Sequence, residues 1–245
     1  EHLSYMMRAT TPLEAEISAG IASGELTGQD AAKLQAATYD DSVALANFQK
    51  LAEQGTGIVP TILISCNIAY LDENDFAHDT ILNYLGPKLK ESYQWRIERM
   101  AGESAEVSRE RKENFKKVSS LLPLIQKSGM KIIAGTDAGY LNTYDFPGLA
   151  IHLELQKFVE FGLTPLQALQ ASVINGPDYF GITEFSAVES GKKANLILLN
   201  RNPFEDISAT LSIHDVIKDG QLYTREDLDN MLKQIKSWVA EKESK

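Results

Sequence analysis

The stretch KIIAGTDAG, residues 131–139, decides the fold that we expect for this chain. Its apolar start, Ile132-Ile133-Ala134, has the composition of a buried strand, and it ends in Gly135-Thr136-Asp137. In a parallel α/β sheet, functional residues gather at the carboxyl ends of the strands. Asp137 is therefore a candidate metal ligand or general base. An aspartate before Ala-Gly also suits a turn or a helix N-cap, and spacing alone favours that structural role.

A second apolar and β-branched run, Ile58–Ile64, predicts another strand, although Pro60 cannot donate to a ladder. Residues 72–128 form a long polar stretch that we predict to be largely helical. Strands that alternate with helices indicate a parallel sheet. Two strands do not form a stable sheet alone. Either further strands lie within the predicted helices, or the chain is the latter part of a larger sheet.

Several helix boundaries can be predicted from local signals. Thr11-Pro12 marks the start of a helix, and a second helix follows Phe146-Pro147-Gly148 and runs to about Phe161. Thr164 and Pro165 are the predicted N-cap and first residue of the next helix. One clear apolar stripe lies near the end of the polar stretch and consists of Phe115, Val118, Leu122 and Ile125.

The C-terminal part of the sequence has a different character. Residues 194–199 predict a strand, and Ile213–Tyr223 predicts a hairpin with Asp219-Gly220 at its turn. Thr224 is the predicted cap of a final charged helix that runs to about Glu243.

Composition limits the classes of partner. The 245 residues are 43% hydrophobic and 24% charged, which suits one large or two small domains with a sizeable core. A net charge of −10 argues against non-specific nucleic-acid binding, which needs clustered Lys and Arg. No apolar stretch approaches the roughly 18 residues of a transmembrane helix. We expect neither a nucleic acid nor a membrane as partner. The compartment stays open, with the cytoplasm as the default, because the single cysteine excludes an internal disulfide.

Few side chains stand out as chemical candidates. A lone histidine such as His2 is usually not a ligand, and His152 near a helix start could face a cleft or solvent. Cys66 follows the first apolar run, where a buried structural thiol is a more common outcome than a nucleophile. The sequence contains no HExxH, CxxC, His-x-His, P-loop or GxSxG motif.

Five stretches in a fixed order nevertheless form a specific set. The stretches are Glu1-His2, Val59-Pro60-Thr61, Gly135-Thr136-Asp137, Gly162–Pro165 with Ala168-Leu169 and Asn175, and Gly191–Leu196 with Asn202–Ile207. This set resembles the C-terminal part of the metal-dependent amidohydrolase superfamily, and the nearest branch is that of imidazolonepropionase-like and Xaa-Pro-dipeptidase-like hydrolases. The resemblance covers nearly the whole chain and is weakest in residues 72–128.

The resemblance implies an α/β fold, namely the latter part of a (β/α)₈ TIM-type barrel followed by the C-terminal strands of a small β-sandwich. The implied barrel part is residues 1–185, with a helical insertion at 72–128. The sandwich strands are residues 186–223, and the C-terminal helix is residues 224–245. His2 matches a metal-ligand histidine at the end of the sixth strand, and Asp137 matches the aspartate at the end of the eighth.

The implied activity is hydrolysis of C–N bonds in amides, cyclic amides or dipeptides by a metal-activated water. Asp137 is the implied catalytic residue, His2 and Asp137 are the implied metal ligands, and Tyr140 and His152 are candidate substrate contacts. The expected cofactor is a divalent metal, in particular zinc, with one or two ions in the full-length protein. The family's earlier ligands are not in this sequence, which begins at Glu1 without methionine. We therefore expect the chain to be a fragment of a longer protein. Alone, it is expected to be inactive, and one expected outcome is that it binds no metal.

Two other readings remain open. A non-catalytic α/β module could use the long helical stretch to bind a partner, and tight metal binding would argue against it. An unrelated α/β hydrolase could use Cys66 as its nucleophile, and inactivation by a thiol reagent but not by chelators would support it. The expected ligand of the main reading is a small molecule or a dipeptide. Unpaired strand edges favour association, so a homo-oligomer is also an expected state.

Overall fold

The structure is a computed structural model that describes residues 1–139 and 142–244. Helices make up most of it. A 3-10 helix, Leu3–Thr10, precedes the first α-helix, and shorter 3-10 helices lie at Phe76–His78, Thr80–Tyr84 and Ile207–Leu211. The α-helices are α1 Glu14–Ser23, α2 Gly28–Ala37, α3 Asp41–Glu53, α4 Ile62–Ala69, α5 Pro87–Ser92, α6 Gln94–Met100, α7 Ala105–Ser119, α8 Leu122–Ser128, α9 Leu149–Glu160, α10 Pro165–Val173, α11 Asn175–Tyr179 and α12 Arg225–Glu243.

The described strands form two small sheets. β1 (Gly57–Ile58) pairs in parallel with β2 (Lys131–Ile132), and the Ile133 N–H extends the pairing to the Ile58 carbonyl at 2.8 Å. Strands β3 (Leu196–Leu199), β4 (Ile213–Lys218) and β5 (Gln221–Tyr223) form an antiparallel sheet in that order. The predicted parallel pairing and the predicted C-terminal hairpin are therefore both present.

The predicted strand Ile58–Ile64 is wrong beyond its first residue. Pro60 has no N–H to continue a ladder, and Thr61 has a positive φ of 50°, which turns the chain away from the sheet. The remaining apolar residues form α4, in which Ile62, Leu63 and Ile64 are buried. A short apolar run is compatible with either a buried strand or a buried helix, and here the turn at Pro60-Thr61 selects the helix.

Helix caps follow the sequence closely. Thr164 accepts a hydrogen bond from the Gln167 N–H in a capping box, and Pro165 is the first residue of α10. Thr224 caps α12 in the same way with Asp227. Both N-cap predictions are confirmed. The 3-10 helix that precedes α1 is not apparent from the sequence pattern.

The main core lies between the parallel strand pair and the helices around it. Its fully buried members include Phe48 on α3, Ile125 on α8 and Phe158 on α9. The predicted apolar stripe of the helical stretch belongs to this core, since Phe115, Val118, Leu122 and Ile125 are all buried. A separate aromatic cluster, defined here as Tyr93, Tyr144 and Phe146, packs beside it, with ring centroids 5.3 to 6.3 Å apart.

The mixed α/β class is confirmed, whereas the barrel, the sandwich and the boundaries at residues 185 and 223 stay predictions. Residues 72–128 contain α5 to α8 and two 3-10 helices. Among the helices of the described ranges, none combines the length and apolar character needed to cross a bilayer.

Candidate functional site

His2 and Asp137 lie together at the carboxyl end of the parallel strand pair. The His2 Nε2 atom is 3.9 Å from Asp137 Oδ2, and the two side chains are 37% and 41% exposed. His2 is held beside β1 because its N–H donates to the Val59 carbonyl at 3.0 Å. The next N–H, that of Leu3, donates to the Pro60 carbonyl at 3.1 Å. The structure therefore brings together the two residues predicted as metal ligands and leaves both accessible to a ligand.

The backbone around this pair is strained. Positive φ angles occur at His2 (65°), Thr61 (50°) and Asp137 (56°). Residues with side chains seldom adopt such angles, which cost on the order of 1 kcal/mol or more each. Strain of this kind tends to persist where function requires a particular geometry. Three of the six non-glycine residues with positive φ in the described part of the chain lie here, which supports a functional role for this end of the strand pair.

Thr61 fixes the orientation of the His2 ring. The His2 Nδ1 atom is 2.7 Å from Thr61 Oγ1, and the Thr61 hydroxyl donates to the Pro60 carbonyl at 2.8 Å. Because the hydroxyl hydrogen is used in that bond, we assign the oxygen as the acceptor of an Nδ1–H. The neutral ring then carries its lone pair on Nε2, the atom that faces Asp137.

Glu154 on α9 supports Thr61 from behind. Its side chain is fully buried, and its two oxygens accept hydrogen bonds from the Ile62 N–H at 2.8 Å and the Leu63 N–H at 2.6 Å. Burial raises the pKa of Glu154 to about 7, while these two hydrogen bonds act in the opposite direction. Glu154 belongs to α9, but its carboxylate is used at the start of α4.

Asp145 is a buried carboxyl group that sequence reasoning missed. It is fully buried, and neither of its oxygens has a hydrogen-bond partner among the described residues. Burial, and to a smaller extent the charge of Asp137, raises its pKa to about 7. The buried Tyr93 hydroxyl also lacks a partner there, and burial followed by the charge of Asp145 raises the pKa of Tyr93 to about 12. The only sequence signal is an aspartate between two aromatic residues, Tyr144 and Phe146.

The remaining predicted residues are placed differently. Tyr140 lies outside the described residues. His152 is half-buried on α9, and burial lowers its pKa. Residues i and i+2 of an α-helix are about 200° apart around its axis, so the side chains of His152 and Glu154 lie on opposite sides of α9. A substrate contact by His152 stays a prediction, and the contacts make Glu154 the α9 residue that supports the pair.

Cys66 lies within α4, and its environment does not favour a nucleophile. Burial raises the pKa of the thiol, and the nearby Lys157 only partly offsets this effect. A raised pKa reduces the thiolate fraction at neutral pH, and the thiolate is the reactive form. The contacts of Cys66 therefore suit the structural role that we consider the more common outcome.

The pair fits part of a zinc site. An imidazole nitrogen with a fixed lone pair and an accessible carboxylate are both zinc ligands, and ligating histidines usually donate their other N–H to an oxygen, as His2 does to Thr61. Zinc in proteins normally takes at least three protein ligands. In residues 1–139 and 142–244, no group of three or more His, Cys, Asp or Glu side chains is placed to hold a metal ion. The described residues thus supply two donors of the right chemistry.

Comparison with known proteins gives a family match and several similar proteins. The sequence model described as "Amidohydrolase family" matches residues 38–223. An adenine deaminase of Oceanobacillus iheyensis is 32% identical over 107 residues, which is 43% of this chain and 17% of that protein. An ochratoxinase of Aspergillus niger is 35% identical over 103 residues, which is 40% of this chain and 20% of that protein.

Solved structures agree with these sequence matches. A Xaa-Pro dipeptidase with bound methionine in its active site is 25% identical and has a TM-score of 0.51, covering 74% of this chain and 37% of that one. A bottromycin amidohydrolase has a TM-score of 0.62 at 20% identity, covering 76% of this chain and 40% of that one, and so supports the fold. The chain spans less than half the length of each of these relatives.

Proposed function

The chain belongs to the amidohydrolase family, and from this premise we propose that it carries part of the active site of a metal-dependent hydrolase that cleaves C–N bonds. The family match and the similarity to a Xaa-Pro dipeptidase agree with the family and branch that the sequence motifs resemble. The observation that carries the proposal is the approach of His2 Nε2 to Asp137 Oδ2 at 3.9 Å, at the carboxyl end of the parallel strands.

In this proposal the two residues have separate roles. His2 would hold a divalent metal, with zinc as the first candidate, through Nε2, and Asp137 would provide a carboxylate oxygen. A bound zinc would polarise a carbonyl and lower the pKa of a water molecule. Asp137 acts as the general base that takes the proton of the attacking water and passes it to the leaving nitrogen. Its partial exposure leaves room for water and substrate beside the carboxylate.

The proposed substrates are amides, cyclic amides or dipeptides. Two of the relatives are named as an adenine deaminase and a Xaa-Pro dipeptidase, and these names refer to different substrates with C–N bonds. The metal ligands beyond His2 and Asp137 are proposed to lie outside these 245 residues, because the chain spans only 37–40% of the solved relatives. The latter part of a barrel and part of a sandwich are the architecture that this proposal implies. The chain alone is then inactive.

The test is an assay on the natural gene product that contains this chain. The zinc-loaded protein is incubated with a panel of Xaa-Pro dipeptides, N-acyl amino acids and cyclic amides, and C–N bond hydrolysis is measured for the wild type, His2→Ala and Asp137→Asn. We expect hydrolysis of at least one member, and a loss of at least 100-fold in kcat/KM in both variants. Asp219→Asn serves as the control, because it makes the same change at another aspartate with positive φ.

Two results would contradict this function. If folded wild-type protein hydrolyses no member of the panel, the non-catalytic partner-binding reading gains support. If hydrolysis is found but survives both substitutions, the active site is not at the His2–Asp137 pair.

A further inference from the structure

The N-terminus of α4 is capped in an unusual way. The first N–H groups of a helix have no partner within the helix, and a threonine at the N-cap usually accepts from one of them through its hydroxyl. Thr61 stands at the N-cap of α4 and makes no such bond. Its φ of 50° and ψ of 50° are left-handed, whereas capping residues usually adopt extended angles.

Glu154 takes over the capping role from a different helix. Each of its carboxylate oxygens accepts one of the first two N–H groups of α4, at 2.8 and 2.6 Å, across about 90 residues of sequence. A carboxylate at a helix N-terminus is also stabilised by the helix dipole. The Thr61 hydroxyl, released from capping, contacts His2 Nδ1 at 2.7 Å instead.

We propose that Glu154 is a positioning residue for His2, acting through the start of α4 and Thr61. This inference rests on the proposed function, because the His2 lone pair matters only if Nε2 binds a ligand. By capping α4, Glu154 holds Thr61 in the left-handed conformation that aims its oxygen at the imidazole. The imidazole is thereby kept in the tautomer that presents its lone pair towards Asp137.

Helix capping alone does not account for this arrangement. A serine at position 61, or the threonine itself in an extended conformation, would cap α4 locally through its hydroxyl without burying a charge. The observed solution buries a carboxylate, which carries a desolvation cost, and it adds the strain of a left-handed threonine. The nearest cation on α9, Lys157, is hydrogen-bonded to Glu160 at 2.8 Å. These costs are understandable if the geometry of Thr61 is what is being maintained.

The test is the tautomer of His2, read from the ¹⁵N shifts of its ring nitrogens in the metal-free chain, at a pH where the imidazoles are neutral. Glu154→Gln keeps the side-chain volume but places an amide NH₂ against one of the two N–H donors. Glu160→Gln removes a carboxylate from the exposed side of the same helix and is the matched control. Glu154→Asp keeps the charge and shortens the reach, and it replaces Glu154→Gln if that variant does not fold.

We expect the wild type and Glu160→Gln to show mainly Nδ1-protonated His2. In Glu154→Gln or Glu154→Asp, that population should fall at least twofold. A loss of stability with an unchanged His2 tautomer would overturn the proposal and leave Glu154 a structural cap only. A wild type without the Nδ1-protonated form would also overturn it. Since no metal is present, failure to bind zinc would count against the proposed function and not against this result.

Discussion

The Thr61 hydroxyl oxygen lies 2.7 Å from His2 Nδ1, and the hydroxyl donates its hydrogen to the Pro60 carbonyl. One threonine therefore links the turn after β1 to the ring that faces Asp137. The order of these hydrogen bonds leaves the Nε2 lone pair free. The consequences can be tested at Thr61 itself, in the backbone contacts that hold the strand ends together, and at the buried carboxyl group nearby.

Thr61→Val keeps the branched shape of the side chain and removes only the hydroxyl. We expect a loss of about 1–2 kcal/mol in the free energy of unfolding, because His2 Nδ1 loses its partner and the Pro60 carbonyl loses one of its two donors. His2 should also revert to a mixture of tautomers. Urea unfolding and ¹⁵N shifts measure the two effects. Thr210→Val is the control, since it removes another buried hydroxyl bond, to the Ile207 carbonyl, without a contact to His2. An unchanged His2 in Thr61→Val would contradict the assigned hydrogen bonds.

Gly135 allows the chain after β2 to approach Val59. A Cβ atom at position 135 would lie 2.6 Å from Val59 Cγ1, which is closer than van der Waals contact permits. Gly135→Ala should therefore destabilise the protein by about 1–3 kcal/mol. In the Val59→Ala background, the further substitution Gly135→Ala should cost less free energy of unfolding than it does in the wild type. Gly28→Ala, at the start of α2 with no atom within 4 Å of the new Cβ, should be neutral or slightly stabilising. Equal losses for Gly135→Ala in both backgrounds would show that Val59 is not the obstacle.

The raised pKa of the buried Asp145 should make the stability of the protein depend on pH in a particular way. Its pKa rises from 3.8 in the exposed state to about 7 in the folded protein, so the folded state keeps a proton that the unfolded chain releases. The stability supplied by this proton is complete below about pH 4 and is lost as the pH rises towards 7. In Asp145→Asn this contribution disappears, so the loss of unfolding free energy between about pH 4 and pH 7 should be smaller than in the wild type by up to about 4 kcal/mol.

Urea unfolding at several pH values measures the free energy of unfolding and the slope of its dependence on pH. Glu154 also has a raised pKa, to which the charge of Asp145 contributes, so the difference between wild type and Asp145→Asn reports Asp145 together with its effect on Glu154. Asp219→Asn, at an exposed turn, should retain the wild-type slope. Identical slopes in wild type and Asp145→Asn would mean that Asp145 is not buried as described.

The sequence predicts those features that depend on neighbouring residues. The caps at Thr164 and Thr224 and the turn at Asp219-Gly220 are local, and each is found where it is expected. Asp137 could be singled out because it follows a predicted strand, and the end of a strand can be located from the local sequence without knowledge of tertiary contacts. The strand predicted over Ile58–Ile64 is wrong beyond Ile58 because the chain turns at Pro60-Thr61, and the helix that follows has its first N–H groups bonded to Glu154, far away in sequence.

Long-range contacts explain what sequence reasoning missed. Glu154 caps a helix about 90 residues earlier, and no periodicity in either segment reveals that bond. The burial of Asp145 arises from the packing of its surroundings, whereas its own sequence context resembles a turn. The tautomer of His2 depends on three residues that meet only in the folded chain.

The most direct measurement is a zinc titration of this chain, followed by the ring ¹⁵N shifts of all histidines and by calorimetry. Because the described residues supply only two protein ligands, we expect weak binding. The account predicts that zinc nevertheless shifts His2 Nε2 at saturation, and that His2→Ala and Asp137→Asn each weaken this binding at least tenfold. His78→Ala and Asp219→Asn should leave it unchanged, although His78 also lies beside a carboxylate, that of Asp75, at 2.7 Å. If zinc instead shifts another histidine, or if binding is unaffected by both His2→Ala and Asp137→Asn, the pair is not a metal site and the central claim is contradicted.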